Sequence, residues 1–235
     1  MKSKFGFLVQ LDFLQTFVSR FISKLNPAVV HNIEKYIALK KVSFLTSIES
    51  IDGDYLEFGV FRGSSFSHSI RSWNSHKHLS DNKTMNFFGF DSFEGFGKLE
   101  ESELHSFYTN ENFSSDYNKV FKKVKRSSKG VNFKLIKGFF ENTLSNGPEE
   151  YGIVKAKIIF IDSDTYSSAK YAFNFCKDIV QQGTYIVLDD FFSYRGSMNK
   201  GVAKAFSDFK KNKNLSTRHV MYYGNGGSVF VVDSI

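Results

Sequence analysis

Two apolar runs dominate the pattern of hydrophobic and polar positions along this chain. Lys157–Tyr166 reads KIIFIDSDTY and Thr184–Phe191 reads TYIVLDDF. Each is a block of β-branched and aromatic residues followed by aspartates. A continuous run of this length predicts a strand buried on both faces, as in a parallel sheet. Shorter strand patterns occur at Tyr55–Phe58 within DYLEFGVFRGSSF, in Asn86–Gly95 (NFFGFDSFEG) and in Val131–Gly138 (VNFKLIKG). Helical spacing lies between them: from Ser64 or Ser65 to Trp73, over Asp116–Lys129 with Tyr117, Val120, Phe121 and Val124 on one face, over Ser167–Gln182 and over Gly201–Lys211. Arg218–Tyr223 and Ser228–Val232 flank Gly224-Asn225-Gly226-Gly227, a hairpin turn signal. Five alternating units closed by a hairpin predict an α/β fold. Its sheet is mostly parallel and doubly wound, with an antiparallel strand near its end.

Residues 1–50 follow a different pattern. Leu8, Leu11, Leu14, Val18, Phe21, Ile22 and Leu25 recur at three- and four-residue steps, which predicts an amphipathic helix. Asn26-Pro27 ends it, and a second helical stretch covers Val30–Ser47. The chain therefore divides into an N-terminal helical segment, 1–50, and a sheet domain, 51–235. The segment suits a lid, an oligomerisation contact, a membrane-surface helix or a layer packed on the sheet.

Composition narrows the classes. With 28 phenylalanines in 235 residues, the core is expected to use Phe where other chains use Leu. The net charge of +7 favours anionic partners. Its densest runs, Lys119–Lys129 and Lys200–Lys213, are interleaved with apolar residues at helical spacing and read as solvated helix faces. No basic and aromatic array points to nucleic acid. The single cysteine, Cys176, sits in an apolar helical pattern and fits a reduced, cytoplasmic protein. Gln10, Asp12 and Gln15 interrupt the apolar start, no cleavage site follows, and no run is long enough to span a membrane.

Ligands of parallel sheets sit just beyond the carboxyl ends of the strands. Asp162, Asp164, Asp189 and Asp190 all fall there. One aspartate at a strand end is ordinarily a turn former or helix cap. Paired aspartates on two neighbouring strands repel each other and call for a cation, and oxygen donors suit Mg²⁺ or Mn²⁺. After the first strand, Glu57-x-Gly59-x-x-x-Gly63 makes a glycine turn into a helix that Ser64 or Ser65 can cap. It is not the dinucleotide fingerprint, and an acid beside the turn suits a ligand carrying a positive group. Asp91, roughly thirty residues later, stands where a ribose diol is bound, which indicates an adenosine-type cofactor. His68, His105 and His219 lie at no strand end and read as surface or loop histidines.

The stretches LEFGVFRGSS (Leu56–Ser65), FGFDSFEGF (Phe88–Phe96), KGFFENTL (Lys137–Leu144), IDSDTYSS (Ile161–Ser168), LDDF (Leu188–Phe191) and KGVAKAFSDF (Lys200–Phe209) carry a family resemblance. In that order and spacing they resemble the class I S-adenosylmethionine-dependent methyltransferases, and within them the macrocin-type sugar O-methyltransferases. The resemblance covers nearly all of 50–235. It implies a seven-stranded Rossmann-like methyltransferase sheet. It implies that Glu57, Gly59 and Gly63 line the methionine end of S-adenosylmethionine, with Phe61, Ser64, Ser65 and Asp162 also binding the cofactor. Asp91 then binds the ribose, and Ser92, Gly138 and Phe139 lie near the adenine. Asp162, Asp189 and Asp190 would hold a divalent metal such as Mg²⁺, with Asp164 as general base. The implied acceptor is a sugar hydroxyl, on a natural product or on a nucleotide- or lipid-linked precursor of a surface polysaccharide. Relatives often have two glycines where this chain has Gly63-Ser64, and residues 1–50 match nothing in the family. Three alternatives stay open: a catechol-like or phenolic O-methyltransferase, whose members typically carry Asn where Asp190 stands; an oxidoreductase using an adenosine cofactor; and a degenerate, non-catalytic methyltransferase-fold binding protein.

Overall fold

The computed structural model describes residues 12–97, 99–104 and 113–235. Leu8 and Leu11 of the amphipathic pattern, and His105, lie outside them. Strands β1 (Asp54–Phe58), β2 (Phe87–Asp91), β3 (Phe133–Lys137), β4 (Ala156–Ile161) and β5 (Tyr185–Leu188) run parallel. β6 (Ser216–Tyr223) and β7 (Gly227–Ser234) form the closing hairpin, and β7 pairs antiparallel with β5. The order β3-β2-β1-β4-β5-β7-β6 makes one seven-stranded mixed sheet of the expected doubly wound kind.

Both faces of this sheet are covered, and the pleat decides which residue goes where. Along β4, Ile159 and Ile161 join a core shared with α5 (Tyr166–Cys176) and α6 (Gly201–Asn212). The alternate residues Ile158 and Phe160 join the opposite core, shared with α2 (Pro27–Ile48), α3 (Ser64–His76) and α4 (Tyr117–Ser127). That is why the organising run is apolar throughout. Phenylalanine carries much of both cores: Phe58, Phe66, Phe87, Phe90, Phe160, Phe173 and Phe206 are all essentially inaccessible. Phe58 stacks on Phe90 with ring centroids 5.1 Å apart, and Phe173 on Phe209 at 4.9 Å.

The register places the chemistry. Phe58, Phe90, Ile161 and Leu188 stand side by side across β1, β2, β4 and β5. The next residue of each strand, Gly59, Asp91, Asp162 and Asp189, therefore forms one row at the carboxyl edge.

The helix termini differ from the sequence expectation in two places. α3 is preceded by Gly63 at φ 68°, with no side-chain cap. Ser65 is turned inward instead, and its hydroxyl donates to Glu57 Oε1 at 2.6 Å. A Cβ on Gly63 would meet Val120 Cγ1 at 2.9 Å, so close packing of α4 adds to the φ requirement for glycine. α5 ends at Cys176, six residues before the expected Gln182. At the N-terminus, Asn26 accepts the Ala28 N–H at 2.9 Å and Pro27 occupies the first turn, so the break between helices also starts α2. The helix before it, α1 (Asp12–Ile22), buries none of its residues.

Candidate active site

The row of strand ends opens onto a cavity of about 1110 Å³. Gly59, at φ 98°, begins its wall. A Cβ there would lie 1.8 Å from the Asp162 carbonyl oxygen, so only glycine lets the ends of β1 and β4 meet. The turn that follows is clamped by a carboxylate. Asp91 Oδ2 accepts the N–H groups of Val60 and Phe61 at 2.7 Å each, and Oδ1 accepts that of Phe93 at 2.6 Å. Burial pushes the Asp91 carboxyl up, and these three N–H groups oppose it. Ser92 and Phe139 complete this end.

Among the residues expected at the cofactor, Gly59, Phe61, Asp91, Ser92, Phe139 and Asp162 line the cavity. Glu57, Gly63, Ser64, Ser65 and Gly138 do not, and stand behind the wall. Glu57 is fully buried and accepts the hydroxyls of Ser65 and Tyr55. Burial raises its pKa from 4.5 to about 7, against the pull of those hydroxyls and of Lys35. Gly138, at φ 149°, donates its N–H to the Asp91 carbonyl at 3.0 Å.

The opposite end holds the aspartates. Carboxylate oxygens of Asp162, Asp189 and Asp190 lie within 4.8 Å of one another. Asp164, also on the wall, is buried and adopts φ 60°, a left-handed conformation that aspartate takes more readily than most side chains. Thr165 then caps α5 by accepting the Ser168 N–H. Burial and then Asp190 and Asp162 push the Asp164 carboxyl well above the usual range. Burial and Asp189 do the same to Asp162, with Lys35 pulling the other way.

Lys35 and His31 of α2 reach into this cluster, and neither was legible as a site residue. The Lys35 ammonium lies 3.0 Å from Asp162 Oδ2 and 2.6 Å from Asp189 Oδ2. Burial works against that charge, but the two carboxylates prevail and raise its pKa. His31 Nδ1 accepts the Asn225 N–H at 3.0 Å. That assigns the proton to Nε2, which donates to Asp189 Oδ2 at 3.1 Å. Tyr223 donates its hydroxyl to Asp189 Oδ1 at 2.9 Å. Burial alone would raise the Asp189 carboxyl, yet Lys35 and His31 hold it well below the ordinary range. A signal for Lys35 did exist: it shares the buried face of α2 with Ala38, Leu39 and Val42, where an unpartnered ammonium would be costly. Glu103 is a further buried acid of the cavity wall, accepting the Ser167 N–H at 2.6 Å and the Ser167 hydroxyl at 3.0 Å.

Two of the alternative histidines lie elsewhere. His68 bonds the Tyr36 carbonyl at 2.9 Å, and His219 packs on Tyr222 with ring centroids 4.0 Å apart. Among the described residues no helix is long and apolar enough to cross a membrane.

Among the described residues four carboxyl groups here meet one ammonium, and the upward shifts of Asp162 and Asp164 mark a site short of positive charge even with Lys35 seated. Three oxygen donors at this spacing, in a site short of positive charge, fit a hard divalent cation.

Comparison with known proteins agrees with this fold. The family model Macrocin-O-methyltransferase (TylF) matches residues 35–222. Among solved structures, the O-methyltransferase NovP superposes with a TM-score of 0.70 at 16% identity, over 86% of this chain and 81% of its own. The calicheamicin methyltransferase CalS11 also gives 0.70, at 13% identity, over 91% of this chain and 85% of its own. An O-methyltransferase from Bacillus cereus, solved in complex with SAH, gives 0.53 at 15% identity, over 84% of this chain and 81% of its own. No curated protein sequence matches.

Proposed function

The chain belongs to the macrocin O-methyltransferase family of S-adenosylmethionine-dependent enzymes, and we propose that it methylates a sugar hydroxyl with the help of a divalent cation. The observation that carries this reading is the convergence of Asp162, Asp164, Asp189 and Asp190 on one wall of the cavity that also opens at the Asp91-clamped glycine turn. S-adenosylmethionine supplies an electrophilic methyl group. Gly59, Phe61, Asp91, Ser92 and Phe139 would hold it, with Glu57, Gly63, Ser64, Ser65 and Gly138 shaping the turns behind.

Asp162, Asp189 and Asp190 would hold the cation, Mg²⁺ in this proposal. When bound, such an ion lowers the pKa of an acceptor hydroxyl and orients its oxygen. Asp164 is the proposed general base. Its left-handed backbone aims a buried carboxylate beside the cluster, where it can take the hydroxyl proton within hydrogen-bond range. Lys35 and His31 hold Asp189 in one orientation, and the fixed tautomer of His31 keeps it a donor to that carboxylate. Asn225, Phe192 and the first turn of α2 form the rim on the acceptor side.

A solved apo structure of CalS11 describes that enzyme as a TDP-rhamnose 3'-O-methyltransferase. A nucleotide-linked sugar is therefore a reasonable first acceptor, and the net charge of +7 suits a phosphorylated carrier. The test is transfer of labelled methyl to a panel of nucleotide-linked deoxysugars and catechols, with Asp164→Asn in parallel. Transfer to a sugar is expected, with turnover lower by about 100-fold or more in the variant while S-adenosylhomocysteine still binds. Transfer to catechols alone would favour the phenolic alternative, and full activity of Asp164→Asn would remove the base assignment.

A further inference from the structure

Among the described residues, the proposed reaction leaves one buried acid of the cavity wall without a role. Glu103 is 4% exposed and lies in the segment 99–104, on the loop that leaves β2 at the Asp91 clamp. Both its carboxylate oxygens are committed. Oε1 accepts the Ser167 N–H at 2.6 Å, and Oε2 accepts the Ser167 hydroxyl at 3.0 Å. Ser167 is the second residue of α5, and the first N–H groups of a helix have no partner within it. Thr165 supplies one for Ser168 at 3.3 Å, and Glu103 completes the cap from 64 residues away, with a charge that suits a helix N-terminus. A second tie runs to the turn after β5. The Tyr194 hydroxyl donates to the Glu103 carbonyl oxygen at 3.1 Å. Tyr194 and Arg195 take φ 55° and 61°, a left-handed pair that contains neither Gly, Asn nor Asp, and a Cβ on Gly201 would meet the Tyr194 ring at 2.7 Å. Such a turn persists only where its surroundings hold it. Glu103 thus joins three segments: its own loop, the turn bearing Asp162 and Asp164, and the turn bearing Asp189 and Asp190.

We infer that Glu103 is a positioning residue for methyl transfer, whose carboxylate fixes the first turn of α5 and so presents Asp164 to the acceptor in one orientation. This rests on the function proposed above, in which Asp164 takes the hydroxyl proton. Asp164 and Ser167 are three residues apart, at most about 10 Å of chain, so a frayed first turn of α5 would let the Asp164 carboxyl drift. A misplacement of about 1 Å can cost about 100-fold in rate. Glu103 acts through Ser167 and not on the acceptor or the cation. Both its oxygens are spent on Ser167, and it is not among the carboxylates that converge within 4.8 Å. The hold needs two hydrogen bonds and not a charge. A glutamine can accept the Ser167 N–H through its carbonyl oxygen and donate to the Ser167 hydroxyl through its amide.

The test compares Glu103→Ala and Glu103→Gln in the full chain by amide hydrogen exchange and by steady-state transfer to the deoxysugar panel. In Glu103→Ala the amides at the start of α5 should exchange about tenfold faster or more, while those of the Gly59–Ser65 turn keep their protection. Its kcat should fall about tenfold or more, with KM for S-adenosylmethionine and S-adenosylhomocysteine affinity unchanged. Glu103→Gln should recover both the protection and most of the turnover. Ser167→Ala, which keeps the N–H bond, should lose less than Glu103→Ala, and adding it to Glu103→Ala should cost nothing more. Unchanged exchange or unchanged kcat in Glu103→Ala would overturn the inference, as would a glutamine variant as impaired as the alanine one or a loss of cofactor affinity equal to the loss of turnover. Absence of transfer by the unaltered protein would count against the proposed function instead, and the exchange comparison would still decide whether Glu103 holds the Asp164 turn.

Discussion

Lys35 shows how much one side chain decides at the residue scale. Its ammonium touches two of the three carboxylates that would share a divalent ion. Both cations then compete for the same oxygens. A unit charge about 4 Å from a divalent ion opposes it by about 2 kcal/mol even at the dielectric of water. Lys35→Met should therefore bind Mn²⁺ or Mg²⁺ tenfold or more tightly, as read by calorimetry. Unchanged or weaker binding would mean that Lys35 assembles the metal site instead of competing for it. The aspartates were legible because they follow strands whose burial on both faces leaves an unbroken apolar run. Lys35, His31 and Tyr223 were not, because each reaches the site from an element remote in sequence and only the tertiary contact defines it. Within α2, a lysine in register with Ala38, Leu39 and Val42 was the one available hint.

At the scale of elements, the turns leaving the strands carry the design. β1 passes into α3 through Gly59 and Gly63, and the carboxylate of β2 ties that turn down. Gly59→Ala places a methyl group where the Asp162 carbonyl stands, in a backbone conformation that disfavours any side chain. The expected cost is about 3 kcal/mol or more. That corresponds to a fall of roughly 10 °C in Tm for a chain of this size, with loss of cofactor binding. A variant that melts and binds like the original would show that the strand ends separate easily. The mostly parallel, doubly wound sheet and the closing hairpin were readable from alternation and from Gly224-Asn225-Gly226-Gly227, whereas the strand order was not. The α3 terminus was read less well. Ser65 matches a capping residue by type, but a buried glutamate nearby claims its hydroxyl at 2.6 Å. The end of α5 was misplaced because Ile179 and Val180 remain buried beyond it, prolonging an apolar pattern that is no longer helical.

For the molecule as a whole, stability should carry the mark of Glu57. Its pKa rises from 4.5 to about 7 on folding because burial disfavours the charge. The folded state thus holds a proton that the unfolded state has lost between these values. The stabilisation is complete below about pH 4.5 and is lost as the pH rises through about 7, on the order of 3 kcal/mol in total. Tm should fall across this window in the unaltered protein relative to Glu57→Gln, which has no proton to lose. Parallel curves for the two proteins would place the titration elsewhere.

The site divides into two ends, a glycine turn clamped by Asp91 and a carboxylate cluster bridged by Lys35, and the proposal gives them separate ligands. Calorimetric titration with S-adenosylmethionine and S-adenosylhomocysteine, first with Mg²⁺ and then in excess EDTA, tests that division most directly. Micromolar binding of both compounds, unchanged by EDTA, is expected, because the proposed cation belongs to the acceptor end. Absence of binding in either condition, or binding abolished by EDTA, would contradict it.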